Sequence, residues 1–215
     1  MPWIEQLQSA NWREGSCIFF GAYVLGCFTT GYYLVRWRTG QDIRELGSGN
    51  AGARNVGRLL GWIGLLVTLL GDSAKGALAV WATWRFTNDD HLAALAMLAV
   101  VAGHVWPAQL RFRGGKGVAT FLGALLVFDY RLAAAFLLLF VVAIVVLRKW
   151  VLAGLVAFAA LPLASMYLEQ EPARVVMTSL LAGLVLIAHR KNLLEELWHF
   201  VERPNIHAKH HRPEL

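Results

Sequence analysis

Two short stretches of this 215-residue chain carry hydrogen-bond donors and positive charge at a density that a simple connection does not need. Residues 47–58 read Gly-Ser-Gly-Asn-Ala-Gly-Ala-Arg-Asn-Val-Gly-Arg, and residues 103–117 close on Arg-Gly-Gly-Lys-Gly. Glycine lets backbone N–H groups approach a ligand closely, while Ser, Asn, Arg and Lys supply the donors and charge that phosphate oxygens take up. In the first stretch Ser48, Gly49, Asn50, Gly52, Asn55 and Arg58 are the candidates for phosphate contact. Arg58 opens the following apolar run, where a helix N-terminus favours anions. In the second stretch Gly114, Gly115 and Gly117 flank Lys116 at an expected helix start. The competing reading makes the glycines a flexible link and the arginines topology anchors, but a link has no need of Ser48, Asn50 and Asn55 so close together.

The Gly-Gly-Lys-Gly run is not a nucleotide-binding loop. That pattern requires Gly where this chain has Leu110, and Ser or Thr where it has Gly117. His104 precedes Pro107 where an apolar run meets the loop, a place commoner for a helix-end histidine than for a catalyst. His189 and Asn192, three residues apart, share one helix face and can join a site, while snorkelling alone explains Arg190 and Lys191. His207, His210 and His211 lie in a polar, proline-bounded tail and read as solvated rather than as metal ligands.

Elements must hold these groups in place, and the composition says where. With 57% hydrophobic and 16% charged residues the chain is an integral membrane protein, and the apolar runs at about 16–35, 59–84, 91–106, 117–130, 131–147, 150–168 and 174–188 predict seven helical crossings. The fourth run spans only about 21 Å at about 1.5 Å per residue, so it is short, tilted or re-entrant. Asp72 and Lys75 inside the second run must face one another or a wet cavity, and a break is expected near Gly71. Seven crossings put fifteen of the twenty Lys and Arg on one side, which predicts an outside N-terminus and a cytoplasmic C-terminus. Both glycine-rich stretches then face the cytosol. Cys17 and Cys27, about 15 Å apart along one expected helix, are too distant for a disulfide. No linker or repeat divides residues 1–215, so one all-α membrane domain is expected, and topology with anionic lipid accounts for the net charge of +6 without nucleic acid.

Residues 47–56 with Arg58, then Gly103-His104 and Pro107 through residues 114–120, then residues 189–193, with Asp72, Lys75 and Gly76, are similar to the motifs of the bacterial PlsY-type acyl-phosphate:glycerol-3-phosphate acyltransferase family. The chain departs from that pattern at Arg54, where the family usually has Thr, at Arg113, where it usually has Lys, and after Asn192. The resemblance implies a seven-helix enzyme of the bacterial cytoplasmic membrane that moves a fatty acyl group from acyl phosphate to the 1-hydroxyl of glycerol-3-phosphate. Membrane lipids surround it, and it needs no cofactor, no metal and no obligate protein partner. By the same analogy Ser48, Arg58, Lys116 and His189 are catalytic. Gly49, Asn50, Gly52, Asn55, His104, Gly114, Gly115, Gly117 and Asn192 bind substrate. The alternative is a transporter or channel for phosphorylated solutes, which broken helices and cationic loops would also serve, although the site elements cluster at one face and no repeated halves are visible.

Overall fold

A computed structural model describes residues 12–168, 172–190, 193 and 194. Among them the helices are α1 (Trp12–Cys27), α2 (Thr30–Thr39), α3 (Ala53–Thr87), α4 (Asp90–Val105), α5 (Val118–Phe128), α6 (Tyr130–Leu147), α7 (Trp150–Leu168) and α8 (Pro172–Ala188), with 3₁₀ turns at Ile43–Glu45 and Ala108–Leu110 and no strand. Boundaries follow local chemistry. Asp89 accepts from the backbone of His91 and Leu92 to cap α4, and Asp129 does the same for Arg131 and Leu132 at α6. Left-handed Asn88 and Arg148 end α3 and α6. Among the described residues five stretches are long and apolar enough to cross a membrane: Trp12–Thr39, Ala53–Thr87, Asp90–Leu110, Tyr130–Leu147 and Trp150–Leu168. The other two apolar helices, α5 and α8, are shorter. The 11 residues of α5 reach only about 16 Å, in line with the short fourth run.

Two expectations about breaks need correction. The first apolar run is not one helix, because Phe28 and Thr29 separate α1 from α2. The second run is not broken at Gly71, which lies inside continuous helix; the non-helical residue is Gly61, at φ 73° and ψ −170°. Gly71 serves contact instead, since a Cβ there would stand 2.7 Å from the Thr30 hydroxyl. Ala53 through Leu60 therefore form a short helical segment before Gly61, and Arg58 sits within it rather than at the head of the long helix.

Two pairs of glycines bring helix backbones together. A Cβ on Gly26 of α1 would lie 2.2 Å from the Val100 carbonyl of α4, and one on Gly103 of α4 would lie 2.2 Å from the Tyr23 carbonyl of α1. A Cβ on Gly76 of α3 would meet the Thr120 carbonyl at 2.1 Å, and one on Gly123 of α5 would meet the Ser73 carbonyl at 1.9 Å. Without a hydrophobic drive between helices in lipid, such close approach is a main source of association. Phe121, Phe136 and Phe158 fill the space among α5, α6 and α7, with centroids 4.7 to 5.2 Å apart.

The bundle has two distinct ends. At one, Arg44 Nη1 donates to the Leu110 carbonyl at 2.6 Å, so the α2–α3 and α4–α5 connections lie side by side. At the other, Arg174 at the start of α8 bonds Asp90 and approaches Asp129 at 3.9 Å, while Trp84 Nε1 donates to Asp90 at 3.0 Å.

Candidate functional site

The α2–α3 connection is built around Asn55. Its Oδ1 accepts from the Ser48 N–H at 3.0 Å, and its Nδ2 donates to the carbonyls of Leu46 at 2.9 Å and Asn50 at 3.0 Å. Asn55 is 3% exposed, so its amide is spent on holding the loop. Asn50 Oδ1 accepts the Gly52 N–H at 2.7 Å, and Gly47 and Gly49 take positive φ. Beneath the loop Val35, Ile43, Ala51 and Val56 form a small apolar core, while Ser48, Arg54 and Arg58 remain exposed. Asp42 caps the 3₁₀ turn and pairs with Arg44, whose guanidinium holds the carboxyl below the usual carboxylate range and stacks on Tyr32 at 5.1 Å.

The second stretch folds back on the end of α4. Gly114 N–H donates to the Val105 carbonyl and Gly115 N–H to the His104 carbonyl, both at 3.1 Å. A Cβ on Gly115 would sit 2.0 Å from His104 Nε2, so no larger residue fits. Gly117, at φ 83°, starts α5 and leaves Lys116 half-buried just before a helix N-terminus. Across the loop, His189 is 9% exposed beyond the end of α8. Its Nδ1 lies 2.8 Å from the Val185 carbonyl, which takes the proton on that nitrogen and leaves the Nε2 lone pair open. Burial, and then the nearby charge of Lys116, push the imidazole below the ordinary histidine range, against the opposing pull of Val185. Lys116 and His189 are therefore brought together, whereas Asn192 lies outside the described residues.

His104 points the other way, into the bundle. Its Nδ1 is 2.8 Å from Lys75 Nζ and 3.6 Å from Asp72 Oδ1, and it is 3% exposed. Asp72 and Lys75 face one another at 3.1 Å, the first of the two arrangements expected from the sequence. They also cap the break between α1 and α2. Asp72 accepts from the Thr30 N–H at 3.2 Å, and Lys75 donates to the carbonyls of Gly26 at 2.9 Å and Phe28 at 2.7 Å. The remaining carbonyl, Cys27, takes Gln109 Nε2 at 2.6 Å. Residues that cap a helix break in an apolar span satisfy backbone groups that lipid cannot.

Arg44 and Gln109 are the contributors missed in the sequence. Arg44 stands outside both donor-rich stretches and Gln109 within the second, but their partners are carbonyls 66 and 82 residues away, which no local pattern announces.

The profile of the family described as glycerol-3-phosphate acyltransferase matches residues 16–199. Glycerol-3-phosphate acyltransferase 1 of Desulfitobacterium hafniense is 44% identical over 181 residues, covering 84% of this chain and 89% of that protein. The glycerol-3-phosphate acyltransferase of Parasynechococcus marenigrum is 40% identical, covering 80% and 81%. Among solved structures, PlsY, an integral membrane glycerol 3-phosphate acyltransferase in its glycerol 3-phosphate form, superimposes with a TM-score of 0.78 at 29% identity, covering 86% of this chain and 92% of PlsY. Its lysophosphatidic acid form gives 0.76 at 27% identity over the same shares.

Proposed function

This chain belongs to the glycerol-3-phosphate acyltransferase family, and from that premise we propose that it transfers a fatty acyl group from acyl phosphate to the 1-hydroxyl of glycerol-3-phosphate. The acceptor hydroxyl oxygen bonds to the acyl carbonyl carbon, the acyl–oxygen–phosphorus linkage breaks at the carbonyl, and lysophosphatidic acid and inorganic phosphate leave. The hydroxyl proton passes to the departing phosphate, directly or through His189 Nε2. An acyl phosphate is already activated, so positioning contributes more than a strong base.

One observation carries the reading: Arg44 joins the two donor-rich loops at a single end of the bundle, and Lys116 and His189 meet beside that junction. Ser48, Arg58 and Lys116, with the backbone N–H groups of Asn50 and Gly117 and the amide of Asn192, hold phosphate oxygens in this assignment, while Gly49, Gly52, Gly114 and Gly115, whose N–H groups go to Leu46 O, Asn50 Oδ1, Val105 O and His104 O, shape the two loops. Lys116 and Arg58 also neutralise charge growing on the leaving phosphate and the carbonyl oxygen. Asn55 shapes the loop without touching substrate. Seven crossings, a cytosolic site and a place in the bacterial inner membrane complete the proposal. The charge bias supports them, since the loop end of the bundle carries most of the Lys and Arg. A solute transporter finds no such support in a family of acyltransferases.

The test is acceptor-dependent phosphate release. Protein purified in detergent is incubated with acyl phosphate and glycerol-3-phosphate, beside Lys116→Ala. Release that needs the acceptor and falls at least about 100-fold in the variant is expected. Folded protein that releases nothing, with acyl-CoA and acyl carrier protein donors equally inert, overturns the assignment.

A further inference from the structure

We infer that Asp72, Lys75 and His104, with the unwound residues Phe28 and Thr29, form a positioning unit that sets where the Lys116 loop stands, a role that in catalysis rests on the acyltransferase reading. Lys75 meets four partners, Gly26 O, Phe28 O, Asp72 Oδ1 and His104 Nδ1, between 2.7 and 3.1 Å, with only three ammonium hydrogens to share. At 5% exposure it keeps nothing for a substrate. Asp72 is 1% exposed and divides its carboxylate between Lys75 and the Thr30 N–H. Burying such a pair is costly, and apolar residues of similar volume would fill the same space as well or better. What apolar residues would not do is fix backbone carbonyls at stated directions.

One branch of the cluster holds the α1–α2 break, and the other leads through His104 to the lysine loop. The ammonium donates to His104 Nδ1, which leaves the ring neutral with its proton on Nε2, the nitrogen that lies against Gly115. The His104 carbonyl accepts the Gly115 N–H, and Lys116 is the next residue. Gln109 ties the far side of the same loop to Cys27, at the break that Lys75 caps. The break is therefore a datum to which α3, the end of α4 and the loop are all referred. His104 acts through Gly115, without contact to substrate.

The experiment has an exchange arm and a kinetic arm. In Lys75→Met, amide hydrogen exchange of the segment 106–117 is expected to rise at Gly114 and Gly115, while helices near Arg174 keep wild-type protection. Turnover should fall about 10- to 100-fold, since small misplacements cost that much, with KM for both substrates within about threefold. His104→Ala, which removes the ring between Lys75 and Gly115, should likewise raise exchange at Gly115 and lower turnover, and combined with Lys75→Met it should cost little more than either change alone, because both act through one link. Unchanged exchange in the segment, a raised KM with turnover retained, or fully additive losses in the double variant would each overturn the inference. If Lys75→Met fails to fold, the exchange and turnover of His104→Ala decide alone. If the wild-type chain transfers no acyl group, the function is wrong while the exchange arm still judges the positioning.

Discussion

In the proposed reaction Lys116 and His189 have opposite needs: the first meets phosphate as a charged group, and the second takes a proton only as a neutral one. Burial and the ammonium both act on the imidazole in one direction, lowering its proton affinity, and a base works only unprotonated. Its acid limb therefore lies lower than for a free histidine. The profile of kcat/KM against pH is expected to hold its plateau down to below about 6.5, the ordinary histidine value. Removing the nearby charge in Lys116→Met should move the His189 midpoint upward in an NMR titration of labelled histidine. A midpoint that stays put would remove Lys116 as a cause. At this scale much was legible in advance, because Ser, Asn, Arg and Lys among glycines announce anion chemistry by type alone. Their division of labour was not. Asn55 and Ser48 look equivalent as letters, yet one is buried with its amide committed to Leu46, Asn50 and Ser48 itself, and the other is exposed.

The helices show why glycines of identical appearance differ in cost. Gly123 of α5 lies against the Ser73 carbonyl, whereas a Cβ on Gly154 of α7 would meet nothing within 4 Å. Alanine favours a helix over glycine by about 1 kcal/mol at either site, but overpacking at a backbone contact costs about 1–3 kcal/mol or more. Gly123→Ala should thus lower the thermal unfolding midpoint in detergent and Gly154→Ala should raise it slightly; equal shifts would refute the close contact of α3 and α5. Apolar run lengths made α4, α6 and α7 readable to within a residue or two. The breaks were unreadable for a physical reason. Gly61 turns the chain through a positive φ, while Phe28 and Thr29 carry no local signal and unwind because Asp72, Lys75 and Gln109 arrive from elsewhere to satisfy what unwinding exposes.

Across the whole molecule, charge is sorted by end. Arg44, Lys116, Arg148 and Arg190 stand at the loop end, and Arg174 with Asp90 and Asp129 closes the other. With the exposed Cys17 first changed to Ser, an impermeant maleimide added to intact spheroplasts is expected to label Tyr130→Cys and to spare Arg113→Cys until the membrane is opened. The reverse pattern would turn the protein over and remove the cytosolic site. The capped break between α1 and α2 also carries a consequence in time. Synthesis delivers the carbonyls of Gly26 and Phe28 well before Lys75, which is 49 and 47 residues further on, whereas Cys27 has the nearby Thr29 hydroxyl at 3.3 Å and gains Gln109 82 residues on. Until Lys75 arrives the leading segment offers lipid two bare carbonyls, which hydrocarbon does not tolerate. The N-terminal helix is thus an unfinished anchor when it leaves the ribosome, and its secure integration is a late event that closes only after α3 has followed it into the bilayer.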